Sequence, residues 1–137
     1  MESDKFTMLE HTADIKFLIR GSALNEIFEN SVLAFSSYIS SGESKLSAKK
    51  GKIINVQGRD INSLLYNFLD ELIYLLDAEN FAAVRAEVLI RGNNLRAEVY
   101  GDDTSSHHLT HVKAATYAEM SVKKTKGGWE AQFVLDV

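Results

Sequence analysis

Apolar residues recur along this chain with two different periods, and the changes of period mark out the elements. Lys5–Leu9 and Ile15–Arg20 are rich in β-branched and aromatic residues and read as short strands. From Gly21-Ser22 the spacing lengthens. Leu24, Ile27, Phe28, Leu33, Phe35 and Tyr38 recur near helical intervals as far as Ile39, and Ser40-Ser41-Gly42 ends the run. Ser22 is the expected N-cap, and Glu26 and Glu29 lie early, where the helix dipole favours acids. Glu43–Gly51 is polar and lysine-bearing, as expected of a surface connection. Lys52–Gln57 returns to strand character. Gly58-Arg59-Asp60 then opens a second helix, with Asp60 as N-cap. Its apolar set, Ile61, Leu64, Leu65, Phe68, Leu69, Leu72, Ile73, Leu75 and Leu76, spans more than a third of the circumference. This second helix is therefore expected to be the more deeply buried.

The remainder alternates. Phe81–Arg91 and Leu95–Tyr100 flank the hairpin signal Gly92-Asn93-Asn94. Gly101–Leu109 is a polar loop, Val112–Lys124 a long strand, and Lys126-Gly127-Gly128 turns the chain into a last strand, Trp129–Val137. The pattern predicts one α+β domain over residues 1–137. Two helices would pack against an antiparallel-dominated, curled sheet of about seven strands. The helix entries also resemble each other. Gly, an aliphatic residue, Asn, two apolar residues and Asn fall at matching places in Gly21–Asn30 and Gly58–Asn67. This suggests a weak internal strand–helix duplication, although the shared apolar positions also follow from helical periodicity alone.

Composition narrows the chemistry. With no Cys among 137 residues, disulfides, thiolate metal sites and cysteine nucleophiles are excluded. No apolar run approaches the roughly 20 residues that span a bilayer, and the N-terminus lacks signal-peptide character. A cytoplasmic protein without membrane association is the expectation. A net charge of -4 argues against strong direct nucleic-acid binding and favours a protein partner, a small ligand or a cation.

Two places concentrate chemistry-bearing groups. Glu10-His11-Thr12-Ala13-Asp14 connects the first two strands without Gly or Pro. It is either a polar turn whose Asp or Thr bonds its own backbone or part of a site. The chain also ends on Asp136-Val137. If the strand ends meet, Asp14, Asp136 and the α-carboxylate of Val137 form an oxygen-rich corner suited to a hard divalent cation. The other histidines, His107, His108 and His111, fall in the loop before the long strand. His107 and His108 are expected to be exposed. His111, Lys113, Tyr117 and Glu119 alternate and should share one face of that strand. No phosphate loop, G-x-S-x-G or H-E-x-x-H motif is present.

Four segments in order resemble the archease family. They are His11-Thr12-Ala13-Asp14, Phe68–Tyr74, Val112-Lys113-Ala114-Ala115-Thr116-Tyr117 and the terminal Val134-Leu135-Asp136-Val137. The resemblance covers nearly the whole chain. It implies two helices with a sheet wrapped around them and a protein cofactor of the RtcB-type tRNA-splicing RNA ligase, not an enzyme. Such a cofactor promotes ligase guanylylation and multiple turnover; GTP and tRNA are engaged through the ligase. It also implies a divalent metal, calcium as bound with magnesium or manganese as substitutes, on Asp14, Asp136 and Val137. His11, His111, Lys113 and Glu119 are the candidate accessory or partner-binding residues. Where the family commonly has His after its Thr-Tyr pair, this chain has Ala118. Two other readings stand beside this one: a metal-dependent phosphodiester hydrolase built on Asp14, His11 and Asp136, and a chaperone-like interaction domain.

Overall fold

The computed structural model describes residues 4–10, 14–41, 45–105 and 107–137, with the side chain of Glu10 excepted. The element order is β1 (Phe6–Glu10), β2 (Asp14–Gly21), α1 (Leu24–Ser40), β3 (Lys50–Gln57), α2 (Ile61–Ala78), β4 (Phe81–Arg91), β5 (Asn94–Asp103), β6 (Ala114–Thr125) and β7 (Gly128–Asp136). Two helices and seven strands match the expectation, and every strand pairing is antiparallel. The strands form two open sheets, however, ordered β1-β2-β7-β6 and β3-β5-β4, where one curled sheet was expected. Alternation specifies which face of a strand is buried. It does not specify which strands share a sheet.

Each helix touches both sheets: α1 packs chiefly on β4 and β2, and α2 on β6 and β4. The inward residues of β2 (Ile15, Phe17, Ile19) and β7 (Ala131, Phe133, Leu135) meet the helices in one core. Phe17 stacks on Phe133 at 5.2 Å, and Phe28 of α1 meets Phe68 of α2 edge-on at 5.5 Å. Burial does not distinguish the helices as their apolar sets predicted. Eight residues of each are buried, two of them polar on α1 (Asn30 and Ser31) and one on α2 (Ser63). Ser31 is accommodated by donating its hydroxyl to the Ile27 carbonyl at 2.7 Å.

The helix entries confirm the repeat. In both units an Asn nine residues after the junction glycine donates its side-chain amide to the carbonyl preceding that glycine: Asn30 to Arg20 O at 2.6 Å, and Asn67 to Gln57 O at 2.8 Å. In both, the N–H after the glycine is accepted by a side chain four residues on: Ser22 N–H by Glu26 at 2.9 Å, and Arg59 N–H by Ser63 at 2.7 Å. The glycines are required by close approach. A Cβ on Gly21 would lie 2.9 Å from Glu26 Cβ, and one on Gly58 would lie 2.5 Å from Leu64 N. The strand order shows the extent of the duplication. β2-β7-β6 with α1 corresponds to β3-β5-β4 with α2, so the β3–β5 unit is inserted whole between α1 and β6 of the other.

The caps differ between the units. Asp60 caps α2 as expected, accepting from Ser63 N–H at 2.8 Å while the Ser63 hydroxyl accepts from Asp60 N–H at 3.1 Å, a capping box. Ser22 does not cap α1. The N-cap is Ala23, with no side-chain cap, because the Glu26 carboxylate draws both the Ser22 N–H and its hydroxyl, each at 2.9 Å. Those two bonds hold the Glu26 carboxyl below its usual range, the Ser22 N–H contributing most.

Leu69 is fully buried on α2, whereas Ile53 on the solvent face of β3 is 53% exposed. Leu69→Ala should cost about 2–5 kcal/mol in urea unfolding, and Ile53→Ala should stay within roughly 0.5 kcal/mol of wild type. Equal effects at the two positions would mean that the core is elsewhere.

Candidate functional site

The ladder between β2 and β7 builds the site. Asp14 lies directly opposite Asp136, and Ala114 lies opposite Asp136 on the other side. The core-facing residues of β2 are Ile15, Phe17 and Ile19, so Asp14, Lys16 and Leu18 face away from the helices. On β7 the register sets Gln132, Val134 and Asp136 on the face away from the helices, where Val134 is nevertheless buried. Directly opposed residues share a face with Cβ atoms about 5 Å apart. The two carboxylates, 122 positions apart in sequence, therefore stand side by side at one sheet end. Val137 follows immediately, half-buried against the core. Asp136 is exposed, while Asp14 is half-buried with its Oδ1 shielded from solvent. The Lys113 N–H donates to the Asp136 carbonyl at 2.9 Å and fixes the strand end.

Like charges directly opposite one another are unfavourable. A hard cation removes that cost, and the donor set of Asp14, Asp136 and the terminal oxygens of Val137 is all oxygen, as such a cation prefers. Among the described residues no cluster of three or more His, Asp or Glu side chains is assembled. A cation here would therefore need the backbone oxygens of Val137 in addition to the two carboxylates.

The accessory residues divide. His11 lies outside the described residues. His111 and Lys113 precede β6, and both are exposed. They do not form one face with Tyr117 and Glu119. Between Thr116 (opposite Val134) and Ser121 (opposite Gln132), residues 117–120 bulge out against Phe133 alone, so two-residue parity is lost there. Glu119 sits in this bulge at φ 58°, a left-handed conformation uncommon for a residue with a side chain. Its carboxylate pairs with Lys16 at 2.7 Å, and its carbonyl accepts from Gln132 at 2.8 Å. Lys16 is two residues from Asp14 on the same outward face. Glu119 thus belongs to the surroundings of the corner through β2, not through His111. Ala118 is exposed in the bulge, its N–H donating to the Thr116 hydroxyl at 3.1 Å.

Reading Gly101–Leu109 as a uniformly polar loop missed Asp102. β5 runs on to Asp103, and the Asp102 side chain is buried. It accepts from Ser47 N–H at 2.9 Å and from Asp103 N–H at 2.9 Å, with Lys49 at 3.8 Å. His107 Nε2 is 3.3 Å away, and the His107 side chain is largely buried, contrary to the expectation of exposure. His108 is exposed as expected. Asp102 thereby anchors the segment leading to the corner. Farther along, Thr104 N–H donates to Asn80 O at 3.0 Å and Thr110 N–H to Ile39 O at 2.8 Å, before Lys113 reaches Asp136. The alternation of β5 gave no signal for this role: Asp102 has the parity of the outward Arg96, Glu98 and Tyr100 and is buried only because the Ser47 segment and His107 cover it.

These bonds, the Ser47 N–H first, hold the Asp102 carboxyl below its ordinary range despite the opposing effect of burial. The unfolded chain then binds more protons than the native one in the acid range. Stability is fully present above the unfolded-state pKa and is lost as pH falls through the lower folded-state value. Urea unfolding from about pH 6 to about pH 3 should show wild type more stable than Asp102→Asn at the upper end, with the gap closing toward acid. A gap independent of pH would exclude this carboxylate as its source.

Residues 6–137 match the model of the archease protein family (MTH1598/TM1083). The chain is 37% identical to the protein archease of Methanosarcina acetivorans over 145 residues, covering 99% of this chain and 98% of that one. It is 38% identical to the protein archease of Pyrococcus abyssi over 136 residues, covering 93% and 95%. The solution structure of Methanobacterium thermoautotrophicum protein 1598 superposes with a TM-score of 0.78 at 26% identity, covering 96% of this chain and 98% of that one. The Thermotoga maritima crystal structure described as an archease, possible chaperone, shares the fold at a TM-score of 0.67 and 19% identity, with 94% of each chain covered.

Proposed function

The chain belongs to the archease family, and from that premise we propose that it activates an RtcB-type RNA ligase in tRNA splicing and RNA repair. In this reading the protein promotes guanylylation and multiple turnover of its partner and does not itself join RNA. The observation that carries the proposal is the β2–β7 register, which sets Asp14 opposite Asp136 beside Val137. The resemblance assigns a metal to those three positions, and their all-oxygen donor set fits calcium, with magnesium or manganese as substitutes. A cation held there supplies concentrated positive charge that a partner's anionic groups can meet. The chain's own part is to hold the carboxylates in register through the ladder and the Lys113–Asp136 bond, and to keep Lys16 engaged by Glu119. Lys113, whose backbone N–H bonds Asp136, is exposed, and in this reading its side chain is available to the ligase or its nucleotide.

Cation binding to the native state alone raises its stability by mass action. Calcium or manganese should therefore raise the melting temperature of the wild-type protein and of an N-terminally extended form. Asp14→Asn and a chain extended beyond Val137 should respond much less, since one added residue moves the terminal oxygens by roughly 3.3 Å. If both altered chains respond as wild type does, the three groups do not share a cation.

Lys113→Ala should reduce ligase activation while leaving the melting temperature nearly unchanged, because its side chain is exposed. Parallel loss of both would make Lys113 structural. The same assay run without ligase tests the hydrolase reading. RNA cleavage that needs metal and disappears in Asp14→Ala would favour a hydrolase over an activator.

A further inference from the structure

The duplication produces two equivalent clefts, one at each strand–helix junction, and their chemistry has diverged. The cleft beside α1 is lined by Gly21, Ser22 and Asn30 together with Glu26, Glu29 and Glu130, an acidic set against Arg20 and Lys5. Its counterpart beside α2 is lined by Gln57, Gly58, Arg59, Ser63, Asn67 and Tyr117, among which Arg59 is the only charged residue. The bulge in β6 delivers Tyr117 to this second cleft. The Tyr117 ring lies parallel to that of Tyr66 on α2, with centroids 4.2 Å apart and planes 5° apart. Tyr117 nevertheless remains 49% exposed. Tyr66 backs this platform from the helix. Asn62 of α2 further ties down the bulge, its amide donating to the Met120 carbonyl at 3.4 Å. Among the described residues the Arg59 guanidinium makes no hydrogen bond or ion pair, its charge acting only at longer range on the neighbouring Asp60 carboxylate.

We propose that this cleft binds a single nucleotide, its base stacked on the exposed side of Tyr117 and its phosphate paired with Arg59. A planar π-system extends a parallel aromatic stack without disturbing it, and every base has a π-face to offer. The guanidinium fork matches phosphate geometry. The side-chain amides of Gln57 and Asn67, each with an acceptor oxygen, line the same wall and can meet a base edge. The charge selects the ligand class. A partner's arginine could also stack on Tyr117, but Arg59 would repel it, whereas Arg59 attracts a phosphate. The net charge of -4 and the single lining cation limit the site to about one nucleotide and exclude a backbone-tracking groove. The nucleotide can be free or an unpaired residue of single-stranded RNA. None of the residues lining this cleft is a ligand of the proposed corner, and the inference does not depend on the ligase reading.

The test is direct binding by the intact chain with no ligase and no added metal. Isothermal titration with AMP, GMP, the corresponding nucleosides and a short single-stranded RNA separates the ligand sources, and an arginine-containing peptide tests the competing class. Tyr117→Ala should weaken nucleotide binding roughly tenfold or more, and Tyr117→Phe should stay within about twofold of wild type because stacking is retained. Arg59→Ala should weaken the nucleotides but not the nucleosides. Binding of mononucleotides, of RNA or of both supports the site and names its source. No nucleotide binding in any form overturns it, as does Tyr117→Ala binding like wild type with an unchanged melting temperature. Preference for the peptide over every nucleotide also overturns it. Ligase activation is measured separately, so either reading can fail while the other stands.

Discussion

The pairing of β2 with β7 is the contact on which the rest of this molecule depends. It joins Asp14–Gly21 to Gly128–Asp136 in one uninterrupted register. Everything between them, including a complete β3–α2–β4–β5 unit, lies inside the loop that this pairing closes. Loop-closure entropy grows only slowly with length, so a pairing of this separation is sustainable. What offsets it is the burial of Ile15, Phe17, Ile19, Ala131, Phe133 and Leu135 on one face of the joined strands. The same register, read on the opposite face, is what juxtaposes two carboxylates. A slip of one residue would turn one strand over relative to the other and destroy core and corner together. Stability and the candidate metal chemistry are thus two faces of one ladder.

Insertion of one unit into a copy of itself explains several otherwise unrelated features. Both junctions need a glycine because the helix backs directly onto the end of its strand, and both place an Asn side-chain amide on the carbonyl that precedes that glycine. Equivalent helix positions reach the other unit's edge strand. Glu29 of α1 accepts from Val88 N–H on β4 at 2.8 Å, while Tyr66, eight residues after its own glycine as Glu29 is after Gly21, stacks on Tyr117 of β6. Each helix therefore covers an edge that would otherwise be open to pairing with another chain. The units interlock, and neither has a complete core alone.

Divergence has then been concentrated where the duplicate framework is rigid. The bulge at residues 117–120 has four residues against one, whereas β4 has only a single irregular step between Ala83 and Arg85. The longer bulge sets Glu119 in a left-handed conformation, turns it toward Lys16, and brings Tyr117 to the α2 junction. Residues held in such conformations persist only when their surroundings overdetermine them. Here the Gln132 and Asn62 amides, the Lys16 ion pair and the tyrosine stack all hold the bulge. The Asp102 anchor does the equivalent work for the segment that ends at Lys113.

Sequence alone determined the elements, because each depends on local period and local caps. The helical spacing of Ile61 to Leu76, the Asp60 cap, the Gly92-Asn93 turn and the alternation of β2 and β7 all act within a few residues of themselves. It also determined the family, through four short segments in fixed order. Tertiary structure decided what meets what. That seven strands divide four and three, that α1 is buried as fully as α2, that Asp102 is interior, and that Asp14 faces Asp136 are consequences of pairings between distant segments. Periodicity contains no term for partner choice, since any alternating strand offers the same apolar face to any other. The failed continuation from His111 to Glu119 has the same origin. The bulge is held by α2 through Asn62 and Tyr66, by β7 through Gln132 and by β2 through Lys16, and none of these partners is written in the residues of β6 itself.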